Sequence, residues 1–200
     1  MTIARTWGVA LSGIDGSLVE VEADQSSQLP EFRLIGLPDK ALGEAQLRVR
    51  NATANCGMPL PARRLTVNLS PASLPKQGSG FDVAIAVAAL ATTGGFDVGS
   101  LARTVHLGEL GLDGRLRPVP GILPAVLVAA RAGVRRVVVP HANLDEARLI
   151  DGVEVLGAVS LVDVVRVHGV DAPDIDLEPV PRTAVSVASH QPPELGEVVG

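Results

Sequence analysis

Lys76, Gly78, Ser79 and Gly80 crowd into one Gly-rich turn just ahead of a long apolar run. Free backbone N–H groups at such a turn, with the dipole of a following helix, favour an anion. A serine there becomes a nucleophile if a base stands beside it. The same glycines also meet a purely structural need, a tight entry into a buried helix. No Gly-x-x-x-x-Gly-Lys-[Ser/Thr] loop occurs anywhere, so a nucleotide site at this turn has little support. His106, His141, His168 and His190 stand far apart in sequence, and none has a His or Cys at ligand spacing. Structural histidines and no metal are the expectation. A Gly-x-Ser-x-Gly elbow is also absent. Arg33, Lys40, Arg48, Arg50, Arg63 and Arg64 gather between residues 33 and 64, against Glu31, Asp39 and Glu44. They read either as a solvated helix face or as a phosphate-contacting surface. Arg48, Arg50, Arg63, Arg64 and Lys76 are the candidate DNA contacts.

The elements that must hold these residues are built from aliphatic material. Of 200 residues 46% are apolar, yet there are three Phe, one Trp and no Tyr. That composition excludes a wholly disordered chain and suits a buried sheet covered by helices. It is poor material for stacking bases of single-stranded nucleic acid. One cysteine, Cys56, excludes an internal disulfide. No apolar run approaches the roughly 18 residues of a membrane span, and the first residues lack a signal-peptide pattern. A cytoplasmic protein is expected. The net charge of −5 comes wholly from residues 169–200, with six acidic residues and one basic; the rest of the chain balances.

Short segments at Thr6–Ser12, Ser17–Asp24 and Glu31–Gly36 read as a sheet whose second strand has one wet face, carrying Glu20 and Glu22. A helix is predicted from about 40 to 56, capped by Asp39, with the stripe Leu42, Ala45, Val49, Ala52 and Cys56 buried. Glu44 and Arg48 form an i,i+4 pair on its other side. Arg63–Leu69 alternates as a half-buried strand. Phe81–Leu90 is apolar on nearly every face, a core helix with Ser79 or Asp82 as candidate caps. Val105–Leu110 reads as a strand, Asp113-Gly114 as a turn, and Arg115–Val119 as a second strand. Residues 121–132, 143–150 and 160–167 read as helices, with Arg135–Val139 and Val153–Leu156 as strands. The pattern is a mixed α/β domain over residues 1–168. Residues 169–193, broken by Pro173, Pro179, Pro181, Pro192 and Pro193, form a Pro/acid-rich linker.

Residues 75–82, Pro-Lys-Gln-Gly-Ser-Gly-Phe-Asp, resemble the catalytic turn of Lon-type serine proteases, Pro-Lys-Asp-Gly-Pro-Ser-Ala-Gly. Aligned without gaps, Gly80 takes the place of the nucleophilic serine. Ile35–Asp39, Asn68–Ala72, Leu74–Asp82, Gly108–Leu110, Leu112–Val119, Val139-Pro140 and Asn143 together resemble the YifB/ComM family of magnesium-chelatase-like AAA+ proteins, over about residues 3–168. The resemblance implies a Lon-protease-like fold, as in the C-terminal domain of RadA and shared with the GHMP kinases. It also implies loss of catalysis. The family's base is a lysine in a Pro-x-Gly-Gly-Leu-Lys segment, and Leu123 stands there in Pro118–Leu123.

Residues 194–200 are similar to the opening of the ATPase module, cut before its Walker A loop. The module, not this segment, would bind ATP and Mg2+. The implied role is an oligomerisation scaffold, a hexameric ring in the full-length protein. A weaker contact with single-stranded or branched DNA is added, for a branch-migration helicase in natural transformation or recombination. No membrane partner and no cofactor in this segment are implied. The alternatives are a substrate-recruiting adaptor and a residual peptidase using Ser79.

Overall fold

The computed structural model describes residues 3–13, 15–36 and 39–181. Strand β1 (Ala4–Ser12) turns back into β2 (Asp15–Ser26), followed by the short β3 (Glu31–Ile35). Two helical pieces, α1 (Lys40–Gly43) and α2 (Ala45–Asn55), lead to β4 (Arg64–Ser70). The long buried helix is α3 (Asp82–Ala91), and α4 (Val98–Leu101) is a single turn. Next come β5 (Thr104–His106), β6 (Glu109–Leu110) and β7 (Leu116–Arg117), then α5 (Ile122–Arg131) and β8 (Arg136–Pro140). A 3-10 turn (His141–Asn143), α6 (Leu144–Ala147), β9 (Glu154–Ala158) and α7 (Leu161–Val167) complete the body.

Seven strands form one mixed sheet in the order β3-β4-β2-β1-β5-β8-β9, and β6 pairs with β7 apart from it. The pairs β1–β2 and β2–β4 are antiparallel; β3–β4, β1–β5, β5–β8 and β8–β9 are parallel. Period-2 alternation divides the strand residues between two cores. Val19, Val21, Ala23, Leu65, Val67 and Leu69 face α2, α3 and α7, while Val9, Val137 and Val139 face α5 and α6. On β2 and β4 the second face carries Glu20, Glu22, Thr66 and Asn68 at half burial, the wet face expected from their alternation.

All ten residues of α3 are buried, as its continuous apolar run requires. The stripe Leu42, Ala45, Val49, Ala52 and Cys56 is fully buried against it. Asp39 caps through Leu42 N at 2.7 Å. The 40–56 helix is nevertheless two pieces, divided at Glu44. Val105–Leu110 is also interrupted, because β5 ends at His106 and the chain leaves the sheet through Leu107-Gly108 before β6. Helix 143–150 is shorter than its sequence pattern, α6 stopping at Ala147. Residues 168–181 form no regular element, yet Val170, Ala172 and Ile175 pack against the core and Arg166 holds Asp174 at 2.5 Å.

Neither Ser79 nor Asp82 caps α3 through its side chain. Asp82 is fully buried, and Arg48 binds it with two parallel bonds, Nε to Oδ2 at 2.5 Å and Nη2 to Oδ1 at 2.9 Å. Leu110 N–H adds a third bond at 3.1 Å. Burial pushes the Asp82 carboxyl upward, and Arg48 opposes that shift. The Arg48 pair with Glu44 is secondary, at 3.9 Å with Glu44 largely exposed. Removing one member of a buried pair strands the other, at a cost of about 3–5 kcal/mol. Asp82→Ala is therefore expected to destabilise the chain on that scale in urea unfolding; a loss under about 1 kcal/mol would contradict a buried pair.

Candidate functional site

The turn between β4 and α3 is fastened from inside. Lys76 is completely buried, and its ammonium donates to the carbonyls of Gly36, at 2.8 Å, and Pro71. No carboxylate faces it among the described residues, and burial lowers its pKa. Asp39 ties the same corner, accepting from Gly78 N–H at 3.1 Å while its own N–H donates to Lys76 O at 3.1 Å. Gly36 must be glycine. Its φ is +105°, and a Cβ there would lie 2.1 Å from the Leu69 carbonyl oxygen.

Beyond this corner the turn borders a cleft of about 210 Å³, lined by Leu11, Ser79, Gly80, Leu107, Gly121 and Ile122 among others. Ser79 is half-buried and donates its hydroxyl to Glu109. At Gly80 a Cβ would meet nothing within 4 Å, so space for a serine remains where the side chain is absent. Leu123 sits half-buried in the first turn of α5, its N–H directed to Glu146 at 3.3 Å. Its neighbours Gly121 and Ile122 line the cleft. The cleft thus carries only a hydrogen atom at Gly80, with the alkyl chain of Leu123 in the adjoining turn of α5. Neither transfers a proton.

The basic residues disperse. Lys76 is buried and cannot be a surface contact for DNA, a correction to the sequence-based expectation. Arg48 is likewise turned inward, 19% exposed and committed to Asp82. Its aliphatic neighbours hide that partner from sequence reasoning, since Asp82 lies 34 positions away. Arg64 bonds Gln28 and pairs with Glu31 at 3.0 Å. Arg50 lies over the Phe32 ring at 5.8 Å, and Arg63 is exposed. Of the five candidates, Arg50 and Arg63 retain an open guanidinium surface.

Two histidines that looked unrelated in sequence meet in the core. His106 and His168 are both fully buried, Nε2 to Nε2 at 2.8 Å. One choice of tautomers satisfies the whole chain of bonds. Arg136 can only donate, so Ser100 Oγ accepts from it at 3.4 Å and gives its proton to His168 Nδ1 at 2.8 Å. His168 then donates from Nε2 to His106. The His106 Nδ1–H goes to Thr6 Oγ1 at 2.7 Å, and Thr6 donates to the Thr104 carbonyl at 3.2 Å. Every polar atom is satisfied with both rings neutral. The structural role expected for these histidines is what the bonding supports, and no group of three metal-ligating side chains occurs among the described residues. His190 and residues 194–200 lie outside the described residues.

The family model described as "Subunit ChlI of Mg-chelatase" matches residues 21–143. An uncharacterized protein of Mycobacterium tuberculosis is 52% identical over 161 residues, 80% of this chain and 32% of that protein. Competence protein ComM of Haemophilus influenzae is 37% identical over 201 residues, 100% of this chain and 39% of ComM. The uncharacterized protein YifB of Escherichia coli is 37% identical over 192 residues, 96% of this chain and 37% of YifB. The chain belongs to the YifB/ComM family of magnesium-chelatase-like proteins. It spans about a third of the length of these relatives. A Lon protease of Mycolicibacterium smegmatis is 29% identical over 170 residues, 79% of this chain and 21% of that enzyme, in accord with a Lon-like fold. This YifB/ComM member therefore has a Lon-like α/β domain. No helix among the described residues is long and apolar enough to cross a membrane.

Burial lowers the pKa of His168 to about 4, with Arg136 adding to the shift and Asp97 opposing it. Burial drives His106 well below the ordinary range, and His168 adds to that. Below the unfolded value of 6.5 the unfolded chain binds more protons, so stability is complete above 6.5 and falls as pH drops toward 4. Urea midpoints should decline from pH 7 to pH 5. His168→Gln keeps a donor and an acceptor without titrating and should flatten that decline; an unchanged slope would place its source elsewhere.

Proposed function

We propose that this segment is the non-catalytic Lon-like domain of a cytoplasmic ComM/YifB-type ATPase, where it serves as an assembly scaffold. The observation that carries this reading is a protease-like cleft kept in shape while Gly80 and Leu123 stand at both dyad positions. Ser79 does not replace the lost nucleophile well. Its hydroxyl is engaged by Glu109, and the buried amine of Lys76 is held by two carbonyls. Strands β3 and β9 end the sheet on opposite sides, giving two unlike edges. Unlike surfaces suit head-to-tail contacts, which close into rings. ATP and Mg2+ would act in a separate ATPase module, and the parent would be a hexameric DNA helicase for branch migration in transformation or recombination. Contact with single-stranded or branched DNA is an additional property, with Arg50 and Arg63 the candidates that remain open.

Native mass measurement on the parent ATPase should show a hexamer that weakens when residues 1–168 are deleted; undiminished hexamers would move assembly to the ATPase module. Arg50→Glu with Arg63→Glu should weaken binding of forked DNA severalfold and reduce its salt dependence. Unchanged binding would remove both residues from the DNA surface. The parent should hydrolyse no casein, and hydrolysis lost in Ser79→Ala would reinstate a peptidase.

A further inference from the structure

The chain's single tryptophan lies in a cleft that neither the dyad positions nor the 33–64 basic cluster touches. It has a volume of about 540 Å³ and is lined by Trp7, Leu18, Arg103, Arg135, Arg136 and Glu154, with the 132–134 loop between α5 and β8. It lies where β5, β8 and β9 begin, whereas the protease-like cleft lies past the ends of β1 and β5. A volume of this size falls within the ligand-pocket range of roughly 300–1,000 Å³.

The three guanidiniums differ in what they are free to do. Arg136 is held from two sides, by Glu154 at 2.7 Å and by its bond to Ser100, so it forms a fixed wall. Arg135 is exposed and reaches only the Gly152 carbonyl, at 3.3 Å. Arg103 is exposed and enters no ion pair among the described residues. Glu154 offsets Arg136, while Arg103 and Arg135 present exposed guanidiniums at the mouth, with Asp97 near Arg103 and Glu20 opposite Trp7 on β2. Trp7 is half-buried, and its indole N–H is bonded to the Ala102 carbonyl at 2.9 Å. That bond fixes the ring plane, while Leu18 adds apolar surface beside it. A flat ring fixed in place next to exposed guanidiniums suits a ligand with a planar aromatic part and a phosphate.

We propose that this cleft binds a nucleotide unit, the base stacking on Trp7 and the phosphate held by Arg103 and Arg135. The unit comes from a free nucleotide or from a single strand of nucleic acid, since both offer the same base and phosphate. The site stands independently of ring assembly and of Arg50 and Arg63.

Trp7 is its own reporter. The 200-residue chain, titrated with dAMP, ATP or an oligothymidylate of about twelve nucleotides, should show saturable Trp7 fluorescence quenching; inorganic phosphate should not reproduce it. Tighter binding of the oligonucleotide than of dAMP identifies a strand, and equal binding identifies a free nucleotide; either supports the site. Arg103→Glu with Arg135→Glu should lower affinity about tenfold or more with unchanged thermal unfolding, while Arg50→Glu with Arg63→Glu leaves it intact. Trp7→Leu, followed by anisotropy of a labelled oligonucleotide or calorimetry with ATP, should bind several-fold more weakly. The proposal is overturned by absence of quenching at millimolar ligand, by equal quenching with phosphate alone, or by unchanged affinity in the Arg103/Arg135 variant.

Discussion

The structure depends on placing α3, buried on every side, inside a domain with few aromatic residues to fill gaps. Its apolar residues need only packing, but its first residue is Asp82, an acid with no access to water. Arg48 makes that burial tolerable by meeting both carboxylate oxygens, and Leu110 N–H completes the set. The carboxylate also lies in the first turn of α3, where the helix dipole favours negative charge. One ion pair thus fixes α2, α3 and the β6 segment relative to one another. The turn that precedes α3, and the cleft beside it, take their shape from this arrangement.

That turn is held by contacts of its own. Its geometry is maintained by Lys76 reaching two backbone carbonyls, by Asp39 bonding Gly78 N–H, and by the close approach of Gly36 to Leu69. None of these contacts involves the side chains at positions 80 and 123. The local fold therefore has support independent of the side chains at those positions.

The histidine pair is a second polar arrangement enclosed in apolar surroundings. It links β1, α4, β5, β8 and the end of α7 through a continuous set of bonds from Arg136 to the Thr104 carbonyl. Neutral rings are required because neither charge would find a carboxylate at bonding distance. The consequence is a core that is satisfied near neutrality and penalised in acid.

Local pattern in the sequence determined much of the fold. Alternation on β2 and β4 marked which face was wet, the apolar run marked α3 as a core helix, and the 3,4 spacing marked the buried stripe ending at Cys56. These signals are local because strand and helix periods repeat within a few residues. The resemblances of the 75–82 turn and of Pro118–Leu123 likewise drew attention to Gly80 and Leu123. Tertiary structure alone decided which charged groups were surface groups. Lys76 and Arg48 looked like solvated cations, yet one faces Gly36 and Pro71 and the other Asp82. His106 and His168 have 61 residues between them, and Trp7 joins its arginines only when β1 and β5 pair. Such partners are chosen by the three-dimensional path of the chain, since desolvation and hydrogen bonding act over ångströms and carry no trace of sequence distance.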